Sequence, residues 1–254
     1  NGQLTGSIAL HFITVASENY TTDDSVFLMQ SARDNEVIVV LSDRQPYFKE
    51  LEDAMKIRRY VKGKNVTQLP EAIQRIIRAR QNQASAHEKR AEELISAAIV
   101  EGRIYVAGDK LTLKTSSVKD RIERAMGTLV ESVYTKLGYI KKNYDSDADI
   151  LQILEGSQQM TFAEIESPNA EAVRELYQYL DIQNTKRLPT SMGDIQKRYQ
   201  AIPYGWREID IAAVVAELIA AQKLVLKYGG AIVSPGNKKI TEYLRKKTEI
   251  EKAI

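Results

Sequence analysis

The sequence contains no cysteine in 254 residues. This excludes disulfides, thiolate metal ligands and cysteine nucleophiles, and it fits a reducing, cytoplasmic location. No apolar run approaches the roughly 20 residues that cross a bilayer, so no membrane span is expected. With 43% apolar and 28% charged residues, the composition is that of a soluble protein with enough apolar material for one or two cores.

Nucleotide-binding and hydrolase motifs are also missing. The fragment nearest to a phosphate loop, Gly63-Lys64-Asn65, lacks the first glycine and the hydroxyl residue that phosphate and magnesium require. Residues 37–43 resemble a Walker B strand, but without a phosphate loop they are interpreted as a buried strand. The patterns G-x-G-x-x-G and G-x-S-x-G do not occur. These absences predict that the chain has no catalytic residue and no residue that binds a cofactor.

Titratable residues do not form a recognisable site. His11 and His87 are far apart in the sequence, and each is interpreted as a packed or surface residue. Residues 145–149 imitate the start of a calcium loop, but Ile150 stands where glycine is required and Gly156 where the bidentate glutamate belongs. We therefore expect a solvated linker that ends in a helix cap, and no metal ligand.

The first part of the chain is predicted to be a mixed α/β region. Residues 7–15, 26–30 and 36–41 are interpreted as strands, and Pro46 opens a helix that Gly63 ends. A long helix is predicted over residues 70–102, where positions 73, 77, 80, 84, 87, 91, 94 and 98 follow heptad spacing. Its ends are apolar and its middle is polar, so we expect the middle to connect the two ends through solvent and not to pack against another element. The helix either lies solvated on the surface or forms a coiled-coil contact through which the chain makes a homo-oligomer.

A β-hairpin is predicted next, over residues 103–113, with Gly108-Asp109 as its turn. A helix follows from the cap Ser117 to the stop Gly138. The polar segment 141–148 suggests a domain boundary, with domains at residues 1–144 and 145–254. The chain begins with Asn1 and ends on the helical phrase 248–254 without a stop signal, so a fragment of a larger protein is expected.

Residues 202–233 are the most informative part of the sequence. An apolar helix pattern leads into two short β-type runs separated by Gly229-Gly230, a pair that suits a hairpin turn because both residues need φ > 0. With the helix predicted at 191–200, this is the order of a winged helix. The predicted fold class is therefore α+β and mainly helical, with a small β region at the N-terminus, a long central helix with a hairpin, and a C-terminal winged-helix-like domain.

A winged helix serves DNA contact or protein docking, and the sequence leaves both open. From Asn184 onward there are 13 cations and 7 anions, a net charge of +6 that leaves −4 for the remainder. Glu208 and Asp210, near the start of the helix before the wing, would repel phosphates, and its apolar body argues for burial. Backbone contact without base reading would use the basic residues Lys197, Arg198, Arg207, Lys223 and Lys227.

The segment Pro203-Tyr204-Gly205-Trp206 contains the only tryptophan. A tryptophan beside a glycine before an apolar helix most often anchors the loop in the core. Contact with a partner through Tyr204 and Trp206 is the second interpretation.

Several phrases, in the same order, resemble the large P-loop ATPases of BREX bacteriophage-exclusion systems. They are EVIVVLSDRQPYFKELEDAMKIRRYV, LPEAIQRIIRARQNQ, IYVAGDKLTLKTSSVKDRIERAMGTLVESVYTKLGYI and PYGW followed by IDIAAVVAELIAAQKLVLKYGG. The resemblance implies a non-catalytic part of a multi-subunit, DNA-directed defence machine, in which ATP and magnesium bind only to an N-terminal module of the parent protein. The expected function is assembly with other subunits, and the alternative is contact with the DNA backbone.

Overall fold

The structure is a computed structural model that describes residues 8–64, 66–156 and 167–254. It divides into two compact units, Asn1–Ser132 and Val133–Ile254. The predicted boundary after Tyr144 lies inside the second unit. The reason is that the Tyr144 ring is buried in the core of that unit and its backbone N–H donates to Asp210 Oδ1 at 2.8 Å.

Four strands of the first unit form one sheet, with two helices between the second and third strands. The sheet order is β1–β2–β3–β4, with β1 parallel to β2 and the other pairs antiparallel. All five residues of β2 are buried, which explains its nearly continuous apolar sequence EVIVV. The elements of this unit are β1 (Ala9–Ile13), α1 (Asp24–Arg33), β2 (Glu36–Val40), α2 (Tyr47–Lys62), α3 (Glu71–Glu101), β3 (Arg103–Val106), β4 (Asp109–Leu111) and α4 (Val118–Val133).

Residues 26–30 belong to helix α1, so the strand predicted there is wrong. The Asp23 side chain accepts the N–H of Ser25 at 2.8 Å and caps the helix. A short apolar run cannot by itself distinguish a buried strand from a helix, and the aspartate before it is the signal that decides. Phe27 of α1 is buried against Tyr105 of β3, with ring centroids 5.4 Å apart. The predicted strand at 7–15 is β1, and its first residue, Ser7, lies outside the described residues.

Helices α2 and α3 form an antiparallel hairpin, in which Gln45 bonds to Glu101 and Arg58 bonds to Ser85. The helix predicted at 70–102 is confirmed as α3. The expectation that its middle does not pack is wrong, because Ala84 and Ala91 are fully buried and α2 is its main packing partner. Small side chains at these heptad positions let the two helices approach closely. The apolar stripe is thus covered within the chain from Ile77 to Ala98, whereas its first position, Ile73, is 42% exposed.

The end of α3 requires glycine. A Cβ at Gly102 would lie 2.5 Å from the Val40 carbonyl oxygen and 2.9 Å from that of Ala98, both backbone atoms. The helix therefore turns into β3 directly against β2. The turn between β3 and β4 consists of Ala107 and Gly108, with φ of 53° and 85°, one residue earlier than predicted.

Helix α4 begins as predicted, because Ser117 Oγ accepts the N–H of Asp120 at 3.2 Å. It ends at Val133 and not at Gly138. The N–H of Lys136 bonds to the Pro203 carbonyl at 3.0 Å, which takes this donor out of the helical pattern.

The second unit is a helical domain with a small wing. Ser191 and Asp194 form a capping box at the start of α7, and Gly229 and Gly230 make the wing turn with φ of 58° and 82°, as predicted. No helix of the described residues is both long and apolar enough to span a membrane. The elements are α5 (Asp147–Gly156), α6 (Ala170–Thr185), α7 (Met192–Gln200), α8 (Glu208–Ala220), β5 (Lys227–Tyr228), β6 (Ala231–Ile232) and α9 (Ile240–Arg245).

The helical phrase predicted at 248–254 is instead a series of turns that ends beside the wing. Lys227 and Ile254 exchange backbone hydrogen bonds of 2.6 and 2.9 Å, and Ala253 forms an antiparallel bridge with Tyr228. The Ala253 carbonyl also accepts the N–H of Met192 at 2.8 Å, so this segment joins the wing to the start of α7.

Candidate interaction surface of the winged-helix unit

Helix α8 precedes the wing, the position of a recognition helix, but it is the central helix of its unit. Every residue from Asp210 to Ile219 is buried, because α5, α6, α7 and α9 all pack against it. The apolar pattern of this helix predicted burial on more than one face, and the structure agrees. A helix that presents no face to solvent cannot place side chains against base edges in a DNA groove.

Tyr204 and Trp206 lie in the core and not on the surface. They are 4% and 2% exposed. The indole of Trp206 stacks on Tyr199 with centroids 4.7 Å apart, and its Nε1 donates to the Lys136 carbonyl at 2.9 Å. Gly205 has φ of 64° and passes directly over the Tyr134 ring. The placement favours the interpretation of this segment as a loop anchor.

Glu175 ties the aromatic cluster to its surroundings. Tyr204 donates its hydroxyl to Glu175 Oε1 at 2.5 Å, and Lys136 Nζ lies 2.9 Å from Oε2. Burial raises the pKa of Glu175, but the two hydrogen bonds and the positive charges of Lys136 and Arg198 together hold the pKa below its ordinary value. The carboxylate is thus a structural acceptor for the loop.

Arg207 is committed to an internal ion pair. Its Nε and Nη2 donate to both carboxylate oxygens of Asp210, at 2.6 and 3.0 Å, and Nη2 also donates to the Tyr144 carbonyl at 2.6 Å. The hydrogen bond to Asp210 is the main cause of a raised pKa at Arg207. Since its charge is balanced by a buried carboxylate, this guanidinium is a poor candidate for binding phosphate.

The other four basic residues named from the sequence line two adjoining clefts. Lys197 and Arg198 lie on a cleft of about 700 Å³ between α6, α7 and the loop that contains Tyr204. The Arg198 guanidinium sits 4.3 Å above the centre of the Tyr179 ring. Lys223 and Lys227 lie on a second cleft, of about 630 Å³. Residues 188–190 line both clefts and so form the ridge between them.

The second cleft, which we name the docking cleft, carries exposed apolar side chains that the sequence did not single out. Tyr177 is 40% exposed, Leu188 53%, Val225 54% and Ile254 51%. Its basic residues are Arg187, Lys223 and Lys227, and its one acidic residue is Asp181. The apolar residues come from four separate stretches of the chain, so no local pattern reveals them. The cleft offers apolar contact within a basic rim.

The histidines and the aspartate-rich segment have structural partners. His11 Nε2 lies 2.9 Å from Glu36, and His87 Nδ1 lies 2.6 Å from Glu50. Asp149 Oδ2 accepts the N–H groups of residues 145 and 146, as a helix cap does, and these bonds lower its pKa. Within residues 8–64, 66–156 and 167–254, no group of three or more His, Asp or Glu residues is placed to hold a metal ion.

These observations define a two-unit protein in which a mixed α/β unit precedes a winged-helix unit. Residues 1–129 match the family model described as "BREX ATP-binding protein BrxC 4th domain with six-stranded beta sheet". Residues 136–254 match the model "BREX ATP-binding protein BrxC winged helix-turn-helix domain". The chain therefore belongs to the BREX ATP-binding protein BrxC family, as its resemblance to BREX ATPases predicted. No solved structure matches the chain.

As a member of this family, the chain is part of a component of a BREX phage-defence system. Its two matched domains are parts of that protein other than the ATPase. The described residues contribute four strands to the sheet, whereas the family description gives six.

Proposed function

We propose that the winged-helix unit is a non-catalytic docking module, and that the docking cleft receives an apolar, acidic segment of another subunit of the defence complex. The observation that carries this proposal is the set of four large apolar side chains, each at least 40% exposed, around one cleft. Isolated exposed apolar residues are ordinary on a protein surface, but several around one concave surface indicate an interaction site. The basic rim favours an acidic partner.

The apolar side chains of the docking cleft would supply part of the free energy of binding. Full burial of one large apolar side chain contributes about 1.5–3 kcal/mol, and these four are already about half buried. Covering them would therefore contribute roughly 3–6 kcal/mol before the cost of association. An interface of this kind needs further contacts with the basic rim.

The test is co-purification of the full-length parent protein with its partner subunits from cells that express the defence system. The double variant Leu188→Asp/Val225→Asp places two charges in the docking cleft. The matched control Ile182→Asp/Ile232→Asp places the same charges at side chains that are 52% and 71% exposed and do not line this cleft. Loss of the partner in the first variant alone is the expected result. Trp206 fluorescence checks that each variant is folded. Equal recovery of the partner subunit with both variants would refute the proposal.

A second candidate function is contact with the DNA backbone through Lys197, Arg198, Lys223 and Lys227. The supporting observation is that these residues line adjoining clefts. Base reading by α8 does not form part of this function, because that helix is buried. Arg207 is omitted because of its pairing with Asp210.

The DNA-binding candidate is tested by fluorescence anisotropy with a labelled duplex at several salt concentrations. Changing the four residues to glutamine should reduce the slope of log K against log[salt] by up to about 3.6, since each phosphate contact contributes about 0.9. An unchanged slope would remove this candidate.

The proposal places no catalytic residue, cofactor or metal ligand in this chain, and it assigns ATP and magnesium to the ATPase module of the parent protein. Titration of the chain with ATP and magnesium should give no heat of binding. A cytoplasmic location is part of the same proposal and is supported by the absence of cysteine.

A further inference from the structure

A strongly basic segment lies in the first unit, at the tip of the α2–α3 hairpin. Residues 58–80, which we name the cationic tip, contain seven cations and one anion, a net charge of +6. The remainder of the hairpin, residues 47–57 and 81–101, contains four cations and seven anions, a net charge of −3. Residues 223–247 of the winged-helix unit also carry a net charge of +6, so the tip, with the same charge in 23 residues, is comparably basic.

Most cations of the tip are not neutralised by neighbouring carboxylates. Arg58 is paired with Glu88 at 2.7 Å, and Arg75 lies 3.5 Å from Glu71. Five others are exposed and have no carboxylate within 4.0 Å in the described part of the chain; they are Arg59, Lys62, Lys64, Arg78 and Arg80.

The tip is packed onto the hairpin through Ile77, which is 4% exposed. Gln74 Nε2 also donates to the Leu69 carbonyl at 2.9 Å, a bond within the tip. A surface that serves solubility alone usually mixes both signs, as the remainder of the hairpin does. A cluster of one sign creates a local potential that attracts a polyanion.

We propose that the cationic tip binds the phosphate backbone of duplex DNA. Duplex DNA carries one charge per 1.7 Å of helix axis, and neutralising its phosphates releases condensed counterions. Single strands are bound on aromatic platforms that stack successive bases. The tip has one exposed tyrosine, Tyr60, and Lys64 Nζ lies 5.2 Å above its ring. The charge density and the lack of a stacking platform in the described tip therefore favour a duplex. This site lies outside the winged-helix unit and does not depend on the function proposed for it.

The experiment compares three quadruple variants of the 254-residue chain by fluorescence anisotropy with a labelled 20-base-pair duplex, from about 50 to 200 mM salt. The tip variant changes Arg59, Lys62, Lys64 and Arg78 to glutamine. The matched control changes four exposed cations of the same unit, also two arginines and two lysines, at Arg44, Lys49, Lys89 and Arg124. The third variant changes the winged-helix residues Lys197, Arg198, Lys223 and Lys227. Circular dichroism confirms that each variant folds.

The tip variant is expected to bind at least tenfold more weakly at 100 mM salt and to lower the salt slope by about 3–4, while the control retains most of the wild-type slope. Equal losses in the tip and control variants would overturn the proposal, because net charge alone would then explain binding. No binding by the wild-type chain at 50 mM salt would also overturn it and would leave an acidic protein as the partner class. Loss confined to the third variant would overturn it and support DNA contact by the winged helix.

Discussion

Replacing Arg207 by glutamine tests whether this residue holds the second unit together or contacts DNA. The guanidinium donates three hydrogen bonds of 2.6–3.0 Å, two to the Asp210 carboxylate and one to the Tyr144 carbonyl. Asp210 is 1% exposed, and without Arg207 its described partner is the Tyr144 N–H. The substitution therefore leaves a buried carboxylate without its balancing charge.

The expected loss is about 2 kcal/mol of the free energy of unfolding of the second unit. Hydrogen bonds to charged groups contribute about 1.5–3 kcal/mol each when buried. The Arg207 side chain is 49% exposed, so water and salt screening replace much of that contribution. In the variant, Asp210 also remains in the first turn of α8, where the helix dipole stabilises its carboxylate and limits the loss.

Urea unfolding followed by tryptophan fluorescence measures this loss. Trp206 is the only tryptophan and is buried in the second unit, so its emission reports that unit. With a slope of about 1–2 kcal/mol per molar urea, the midpoint should fall by about 1–2 M. The control is Arg174→Gln, an exposed arginine of α6, which should shift the midpoint by less than about 0.5 M.

A double-mutant cycle with Asp210→Asn isolates the pair. The two changes together should cost less than the sum of the single changes, by about 1 kcal/mol or more. The reason is that Arg207→Gln alone leaves a buried, unpaired carboxylate, and this carboxylate is absent once Asp210 is also neutral. If Arg207→Gln leaves the midpoint unchanged but weakens DNA binding, the structural role is wrong and Arg207 contacts the nucleic acid.

Three further predictions concern single residues. Gly102→Ala should lower the free energy of unfolding by about 1–3 kcal/mol in thermal melts, because its Cβ would meet the Val40 carbonyl, whereas Gly127→Ala, with open space around it, should stabilise α4 by up to about 1 kcal/mol. Asn169→Ala should cost about 2–3 kcal/mol in urea unfolding, because its buried amide bonds to the backbone of residues 141 and 142 at 2.9 Å. Burial raises the pKa of Glu217, and hydrogen bonds from Ser167 and Tyr144 only partly oppose this shift, so ionisation destabilises the fold as pH rises through that pKa. Glu217→Gln should therefore be more stable than wild type at pH 8, and the difference should disappear below about pH 4; a constant difference would contradict the assignment.

Local signals in the sequence identified most elements where one residue type has a specific backbone role. Gly229 and Gly230 adopt the positive φ that their pairing indicated, and Ser117 caps α4 as predicted. The strand predicted at 26–30 is wrong because a short apolar run fits either element and Asp23 caps a helix there. The charge of the cationic tip is also visible in the sequence, but the acidic remainder of the hairpin offsets it in the net charge of the first unit.

Which side chains lie together on the surface depends on long-range packing. Tyr177, Leu188, Val225 and Ile254 reach one cleft from separate stretches of chain, and no periodicity relates them. Arg207 appeared available for phosphate because the sequence shows its charge but not the buried carboxylate that balances it.

The sequence by itself determined the starts of α3 and α4, the wing turn, the absence of recognisable catalytic motifs and the membership of a BREX family, because each depends on residue types at short range. Tertiary structure alone decided which faces are covered. The heptad stripe of α3 meets α2 within the same chain, and α8 is enclosed on all sides by other helices. Burial is a property of neighbours brought together by folding, so the accessible surface, and with it the interaction sites, could not be derived from residue order.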